Sequence, residues 1–182
     1  AGPAIPVNMN HPCAVVISDV SFLAIFGFKI REYEVNKEQP TSESGWQEAT
    51  KWPQLQTGRY HWPGCSKING KVVIAGGWSN AGYNGNGETL SSTEVLDIES
   101  RTIQYGEDLT TPRALFHIVT IRTQGVERAL AMGGYYYDGS STFLDSVEEF
   151  DPDTLTWNPA AANLLQRKDA FGAVGLKRDL IC

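Results

Sequence analysis

The chain lacks the long apolar runs and basic clusters that mark membrane-spanning and nucleic-acid-binding proteins. Its densest apolar stretch, Val20 to Ile30, falls short of the roughly 18 residues that a membrane helix needs, and it contains a lysine. The 21 Asp and Glu residues outnumber the 15 Lys and Arg residues, which are scattered along the chain and leave a net charge of -6. Because phosphate binding relies on clustered basic residues, we expect no nucleic-acid partner and no membrane span.

Cysteine is scarce, and targeting signals are missing. Cys13, Cys65 and Cys182 are too few and too far apart for a disulfide framework, and none forms the CxxC pair typical of structural zinc. The odd count leaves at least one thiol free or intermolecular, and the redox state of the three stays open. Without a visible signal peptide or an Asn-x-Ser/Thr sequon, the localisation is unknown, with the cytoplasm and secretion both open.

The chain does contain an internal repeat of about 54 residues. Three landmarks recur in the same order, namely an arginine, a glycine pair and an aspartate. They are Arg59, Arg113 and Arg167; Gly76-Gly77 and Gly133-Gly134; and Asp97 in Glu-Val-Leu-Asp and Asp151 in Glu-Glu-Phe-Asp. The arginines and the aspartates recur at intervals of 54 residues, whereas the glycine pairs are 57 apart. We attribute the longer interval to a longer hairpin loop at Arg122 to Glu127.

Each repeat reads as short strands joined by turns. Asn69-Gly70 is typical of a type I′ hairpin turn, because both positions need positive φ, and it separates Cys65–Ile68 from an apolar run that starts at Val72. A polar loop, 79–92, leads to a predicted strand at Thr93 to Ile98, and a turn leads to another that ends at Tyr105. Four antiparallel strands in about 50 residues indicate one blade of a β-propeller.

The best copy of the repeat resembles the kelch family. Its glycine pair, Gly133-Gly134, is followed by Phe150-Asp151-Pro152-Asp153 and then by Trp157, which matches the kelch order of glycine pair, aromatic residue, acidic turn and tryptophan. The second copy has Ile103 at the tryptophan position. The first copy, Phe22 to Trp46, is weaker and has Gly27-Phe28 for the glycine pair. The chain has no Gly-His or Trp-Asp dipeptide, which argues against the WD40 family.

The resemblance implies an all-β fold, a kelch-type β-propeller with four-stranded antiparallel blades. We expect one partial propeller over 1–182, with repeats at approximately 11–58, 59–112, 113–166 and an incomplete 167–182. A closed ring needs at least four blades, so the ring is incomplete in this chain. Two explanations stay open: the chain is a fragment of a longer one, or another copy or chain completes the ring.

A partner-binding face is predicted from the order of the strands. Antiparallel strands alternate in direction, so the loop from the second to the third strand shares a face with the loop that leads into the next blade. Aromatic and arginine residues, which dominate binding hot spots, collect there. They are Trp78, Tyr83, Tyr135, Tyr136, Tyr137, Arg59, Arg113 and Arg167. In a structural alternative, the aromatic residues pack between blades and the arginines contact a neighbouring carboxylate, and for the arginines we favour that alternative.

The function predicted from these observations is a non-enzymatic protein-interaction module with an unidentified protein partner, since the kelch resemblance implies protein binding. A galactose-oxidase-like enzyme or another metal- or ligand-binding propeller is the alternative. Its catalytic residues cannot be placed on this sequence. His11 with Cys13 and His61 with Cys65 contain metal-binding side chains, but descent from a common repeat explains their positions, so we assign no metal and no cofactor.

Overall fold

A computed structural model describes residues 11–35, 45–46, 50–79, 87–169 and 173. Regular structure in this part of the chain is entirely β. The strands are β1 (Cys13–Ser18), β2 (Ser21–Phe26), β3 (Lys29–Glu34), β4 (Gly64–Ile68), β5 (Lys71–Ala75), β6 (Thr93–Asp97), β7 (Ile103–Tyr105), β8 (His117–Thr123), β9 (Val126–Met132), β10 (Tyr135–Tyr137), β11 (Ser141–Phe143), β12 (Val147–Asp151) and β13 (Thr156–Pro159). None of the described segments forms a helix able to span a bilayer.

The strands form three antiparallel sheets that correspond to the repeats. Blade 1 has the order β1-β2-β3, blade 2 the order β4-β5-β6-β7, and blade 3 the order β8-β9-β12-β13. A separate hairpin, β10-β11, lies between the second and third strands of blade 3. The prediction of four-stranded antiparallel blades is confirmed for blades 2 and 3. Among the described residues, blade 1 has three strands and an isolated bridge from Tyr33 to Trp46, and the ring is not closed.

The blades are stacked face to face, as the repeat predicts. Successive residues of β5 point in opposite directions, so Val72 and Ile74 pack towards blade 1, whereas Val73 and Ala75 pack towards blade 3. Two buried clusters result, and each contains side chains of two neighbouring blades. Because both faces of the middle blade are covered, its β5 strand is almost completely buried.

Tight turns join the first two strands of blades 2 and 3. Asn69-Gly70 has positive φ at both positions, 47° and 77°, and confirms the predicted hairpin turn. In blade 3 the turn is Gln124-Gly125, with φ of 52° and 84°. The attribution of the longer interval to a loop is wrong, because Arg122 and Glu127 are paired residues of the ladder. Strands β8 and β9 have seven residues each against five in β4 and β5, so the strands themselves are longer.

The glycine pairs stand where blades approach too closely for a side chain. Gly76 has a φ of +62°, and a Cβ atom there would lie 2.3 Å from the carbonyl oxygen of Arg113. Gly134 has a φ of +103°, and its Cβ would lie 2.7 Å from the Cβ of Phe116. Both the backbone conformation and the contact exclude larger residues at these two positions.

The tryptophan position of the repeat connects neighbouring blades. Trp157 lies opposite Phe150 in blade 3, and its indole nitrogen donates a hydrogen bond to Thr93 Oγ1 of blade 2 at 2.9 Å. Ile103 occupies the matching position of blade 2, opposite Leu96, as the sequence predicts. Because isoleucine has no donor, blade 2 has no corresponding bond to blade 1.

A disulfide joins the first strands of blades 1 and 2, between Cys13 and Cys65. Cys13 is paired with Ile25 and Cys65 with Ile74, so the two cysteines occupy the same position of adjacent blades. Stacking brings their Cα atoms to 6.0 Å, a distance that suits a disulfide. The sequence predicts no disulfide framework and leaves the redox state of the cysteines open; the structure contains this one bridge. Cys182 lies outside the described residues.

Blade 1 is also held by a carboxylate on its third strand. Glu32 Oε2 lies 2.7 Å from Lys51 Nζ and accepts a hydrogen bond from Trp52 Nε1 at 2.9 Å. Burial by itself raises the pKa of Glu32, but the bonds to Lys51 and Trp52 outweigh burial and hold the pKa below its ordinary value of 4.5. The ionised form is therefore the stabilising one.

Acidification is expected to remove this contribution. A carboxylate with a lowered folded-state pKa stabilises the fold above its unfolded-state value, and the benefit disappears as the pH falls through the folded-state pKa. The free energy of unfolding of Glu32→Gln should therefore be lower than that of the wild type at neutral pH, and the difference should shrink below about pH 4.5. Urea denaturation over a pH series measures it. A difference that does not change with pH would assign the effect to packing and contradict the charge argument.

Candidate partner-binding face

Two of the predicted aromatic residues follow the glycine pairs at equivalent positions. Trp78 forms backbone bridges with His61 and Thr89, and Tyr135 forms the corresponding bridge with Ala114. These bridges tie each residue to the segment that enters its own blade. Both side chains are half-buried, so each combines packing with exposure.

The loop from the second to the third strand of blade 3, where Tyr135, Tyr136 and Tyr137 are predicted to lie, contains the ordered hairpin β10-β11. Tyr135 pairs with Phe143, and Tyr137 pairs with Ser141. Because side chains alternate along a strand, Tyr135 and Tyr137 point to one side of the hairpin and Tyr136 to the other. The rings of Tyr135 and Tyr137 are stacked with centroids 6.4 Å apart, which agrees with this alternation.

Aromatic rings from two blades meet on this face. The centroids of Trp78, from blade 2, and Tyr137, from the hairpin of blade 3, are 6.1 Å apart. The backbone nitrogen of Tyr137 donates to Thr89 Oγ1 at 3.1 Å, so a second contact holds the hairpin against blade 2. Tyr137 remains 38% exposed. We name the set Trp78, Tyr135 and Tyr137 the aromatic face; the predicted Tyr136 points to the other side of the hairpin. Tyr83 lies outside the described residues.

A groove of about 570 Å³ runs beside the aromatic face. Its lining comes from the segment that leads into β6 and from the tip of the hairpin. The lining residues are 87–92, Pro112 and 136–139. Glu88 and Asp138 are its two charged residues, and both are exposed. We call it the acidic groove. Sequence reasoning missed Glu88, Thr89 and Asp138, because only the folded chain brings residues near 89 beside residues near 137.

The arginines Arg59 and Arg113 do not belong to this face, because both side chains are fully buried. Arg59 Nη2 lies 3.2 Å from Glu94 Oε1, and Arg113 Nη2 lies 2.5 Å from Glu148 Oε1. Their placement on the partner-binding face is corrected, since a buried guanidinium offers no surface to a partner. The structural alternative, a shared contact with a carboxylate, describes what they do.

Each of these glutamates also holds the segment between two blades. Glu94 accepts hydrogen bonds from the backbone nitrogens of Gln56 and Thr57, at 2.6 and 3.1 Å. Glu148 does the same for residues 110 and 111, at 2.7 and 3.3 Å. We name this arrangement of arginine, glutamate and two backbone nitrogens the clasp. In both clasps burial lowers the pKa of the arginine, and the glutamate counteracts burial.

The third arginine of the predicted series is not equivalent to the other two. Arg113 donates its backbone nitrogen to the carbonyl of Leu90 and accepts from Gly77. Lys168 makes the same two bonds, to Leu144 and Gly134. Lys168 therefore occupies the repeat position, and the interval of 54 residues to Arg167 misses it by one. Arg167 is exposed, with Nε 4.0 Å from Asp145.

The histidine and cysteine pairs do not form thiolate metal sites. Cys13 and Cys65 are bonded to each other, so neither sulfur is a free ligand while the disulfide is intact. His11 Nδ1 lies 3.2 Å from His61 Nδ1. In the described ranges no three His, Cys, Asp or Glu residues are grouped as a metal site requires. A cavity of about 530 Å³, lined in part by His11, Trp62 and His117, lies where the first strands begin.

Face-to-face stacking, four-stranded antiparallel blades and glycine pairs between blades define a β-propeller of the kelch type. Residues 128–163, which cover most of β9 and all of β10 to β13, match the Kelch motif family. The solved structure of YjhT is similar to this chain, with a TM-score of 0.71 over 92% of this chain and 56% of YjhT. At 12% identity the likeness shows the fold alone. The chain spans little more than half of YjhT, and no curated protein matches it significantly.

Proposed function

We propose that this propeller domain is a non-enzymatic interaction module that binds a protein partner on the aromatic face. The observation that carries the proposal is the contact between Trp78 and Tyr137, because it joins exposed aromatic surface from two blades into one patch. Tryptophan and tyrosine contribute most to protein–protein binding when they lie in a central, well-supported patch.

The support for these rings distinguishes them from isolated surface aromatics. The Trp78 backbone is bridged on both sides, and the Tyr137 ring is stacked on Tyr135, which also contacts Phe143 at 6.0 Å. Side chains held in this way lose little conformational freedom when a partner covers them. The face is therefore organised for binding before the partner arrives.

Truncation of the two rings is expected to weaken partner binding about 30-fold or more, since a hot-spot residue contributes roughly 2 kcal/mol. The test compares wild type with Trp78→Ala/Tyr137→Ala as bait, followed by titration of each captured protein. Tyr105→Ala is the matched control, because Tyr105 is 53% exposed but belongs to the outer strand β7. A partner that binds the double variant and the wild type equally would overturn the assignment of this face.

A further inference from the structure

We propose that the acidic groove receives a basic segment of the protein partner, with a Lys or Arg side chain between Glu88 and Asp138. This inference rests on the proposed function and specifies the chemistry of the partner. None of the residues that line the groove is a lysine, arginine or histidine, so the only formal charges there are negative. A cationic side chain is the complementary ligand.

Both carboxylates are available to a ligand. Neither Glu88 nor Asp138 makes an ion pair within the described part of the chain. Asp138 Oδ1 accepts from the nitrogen and hydroxyl of Ser140, at 3.3 and 3.0 Å, which orients the carboxylate at the hairpin tip. A third carboxylate, Asp108, accepts from the hydroxyl of Ser91 at 2.9 Å and adds negative charge beside the groove wall.

The groove also offers aromatic rings next to these charges. Tyr137 lines it, and its ring is held by Trp78 and Tyr135. A guanidinium or ammonium group binds favourably over the face of such a ring, most strongly where carboxylates also neutralise it. Aromatic and acidic groups together favour a basic segment over an acidic or purely apolar one.

Recognition in the groove depends on side chains, because the backbone of its wall is already paired. Leu90 donates to Gly77 and accepts from Arg113, and the Ser91 carbonyl accepts from Leu109. A partner strand therefore finds few free backbone groups to extend the sheet. The partner's own Lys or Arg side chains must supply the specificity.

The probe is a fluorescent nine-residue peptide of alternating Gly and Arg, with a Gly and Gln peptide as its control. We expect the Arg peptide to bind the wild type, Glu88→Gln/Asp138→Asn to weaken binding about tenfold, and added salt to weaken it further. Glu99→Gln/Asp153→Asn is the matched variant, because it removes the same charge from exposed turns away from the groove. It should bind like the wild type. Equal weakening by both pairs would mean diffuse attraction to an acidic protein and would overturn the inference, as would no binding of the Arg peptide.

The partner captured through the aromatic face separates this inference from the proposed function. Loss of that partner with Trp78→Ala/Tyr137→Ala and also with Glu88→Gln/Asp138→Asn supports both. Retention by the groove variant, together with loss by the aromatic variant, leaves the interaction face in place and overturns the basic segment.

Discussion

Arg113→Met is expected to lower the free energy of unfolding by about 3–5 kcal/mol, because it leaves the Glu148 carboxylate buried without its cation. The side chains of Arg113 and Glu148 are 0% and 2% exposed, so water cannot replace the lost partner. The backbone carbonyl of Gly133, which accepts from Arg113 Nη1 at 2.9 Å, loses its donor as well. Urea denaturation measures the change as a lower midpoint with an unchanged slope.

Arg122→Met is the matched control for this prediction. Arg122 also pairs with a glutamate, Glu127, but its side chain is 66% exposed, and such pairs contribute only about 0–1 kcal/mol. The second comparison is Arg113→Met/Glu148→Gln, which removes the stranded charge but keeps an oxygen for the two backbone nitrogens of the clasp. It should recover part of the loss. If Arg113→Met unfolds at the same urea concentration as Arg122→Met, the clasp does not stabilise the fold.

The clasp explains why an arginine recurs in this chain. Its members in blade 2 and blade 3 are separated by 54 residues throughout, since Gln56, Thr57, Arg59 and Glu94 correspond to Thr110, Thr111, Arg113 and Glu148. Each clasp ties the segment that enters a blade to the third strand of the same blade. The 54-residue period in the sequence is therefore the period of a buried polar network.

Much of this could be predicted from the sequence, because the signals were local. The turn at Asn69-Gly70, the glycine pairs and Ile103 at the tryptophan position all follow from short-range patterns. The glutamate partners of the arginines could also have been predicted, because Glu94 and Glu148 are the first residues of the two repeated tetrapeptides that end at Asp97 and Asp151. Spacing alone indicated a carboxylate contact but not which carboxylate.

The remaining features depend on contacts between blades, which no single repeat reveals. The disulfide links positions 52 residues apart, and only the stacking of blade 1 on blade 2 brings these two positions together. The acidic groove needs Glu88 and Asp138 on the lining of one groove, although 50 residues of sequence separate them. Lys168 lies 55 residues after Arg113, one more than the period of 54, so the period identifies its neighbour Arg167 instead.

Reduction of the Cys13–Cys65 disulfide is expected to lower the free energy of unfolding by about 2–4 kcal/mol, the usual effect of a bridge across a loop of this length. The bridge matters for the stability of blade 1, because the third strand of this blade has no clasp like those of blades 2 and 3. Ile30 stands opposite Ile25, at the ladder position that Glu94 and Glu148 occupy in blades 2 and 3. The bridge and the apolar cluster therefore join blade 1 to blade 2 together with the backbone bonds between Gly27 and Arg59, and the bridge is the covalent link among them.

The loss should be concentrated in blade 1, and hydrogen exchange can locate it. In Cys13→Ala/Cys65→Ala, amides of β2 should exchange faster, whereas amides of β9 in blade 3, which pairs with the clasp strand β12, should keep their protection. Cys182→Ala is the control, since it removes a thiol without affecting the bridge. Equal acceleration in β2 and β9 would mean that the three blades unfold as one unit. Faster exchange in β2 alone would show that the disulfide stabilises blade 1 against local unfolding, as the buried ion pairs stabilise blades 2 and 3.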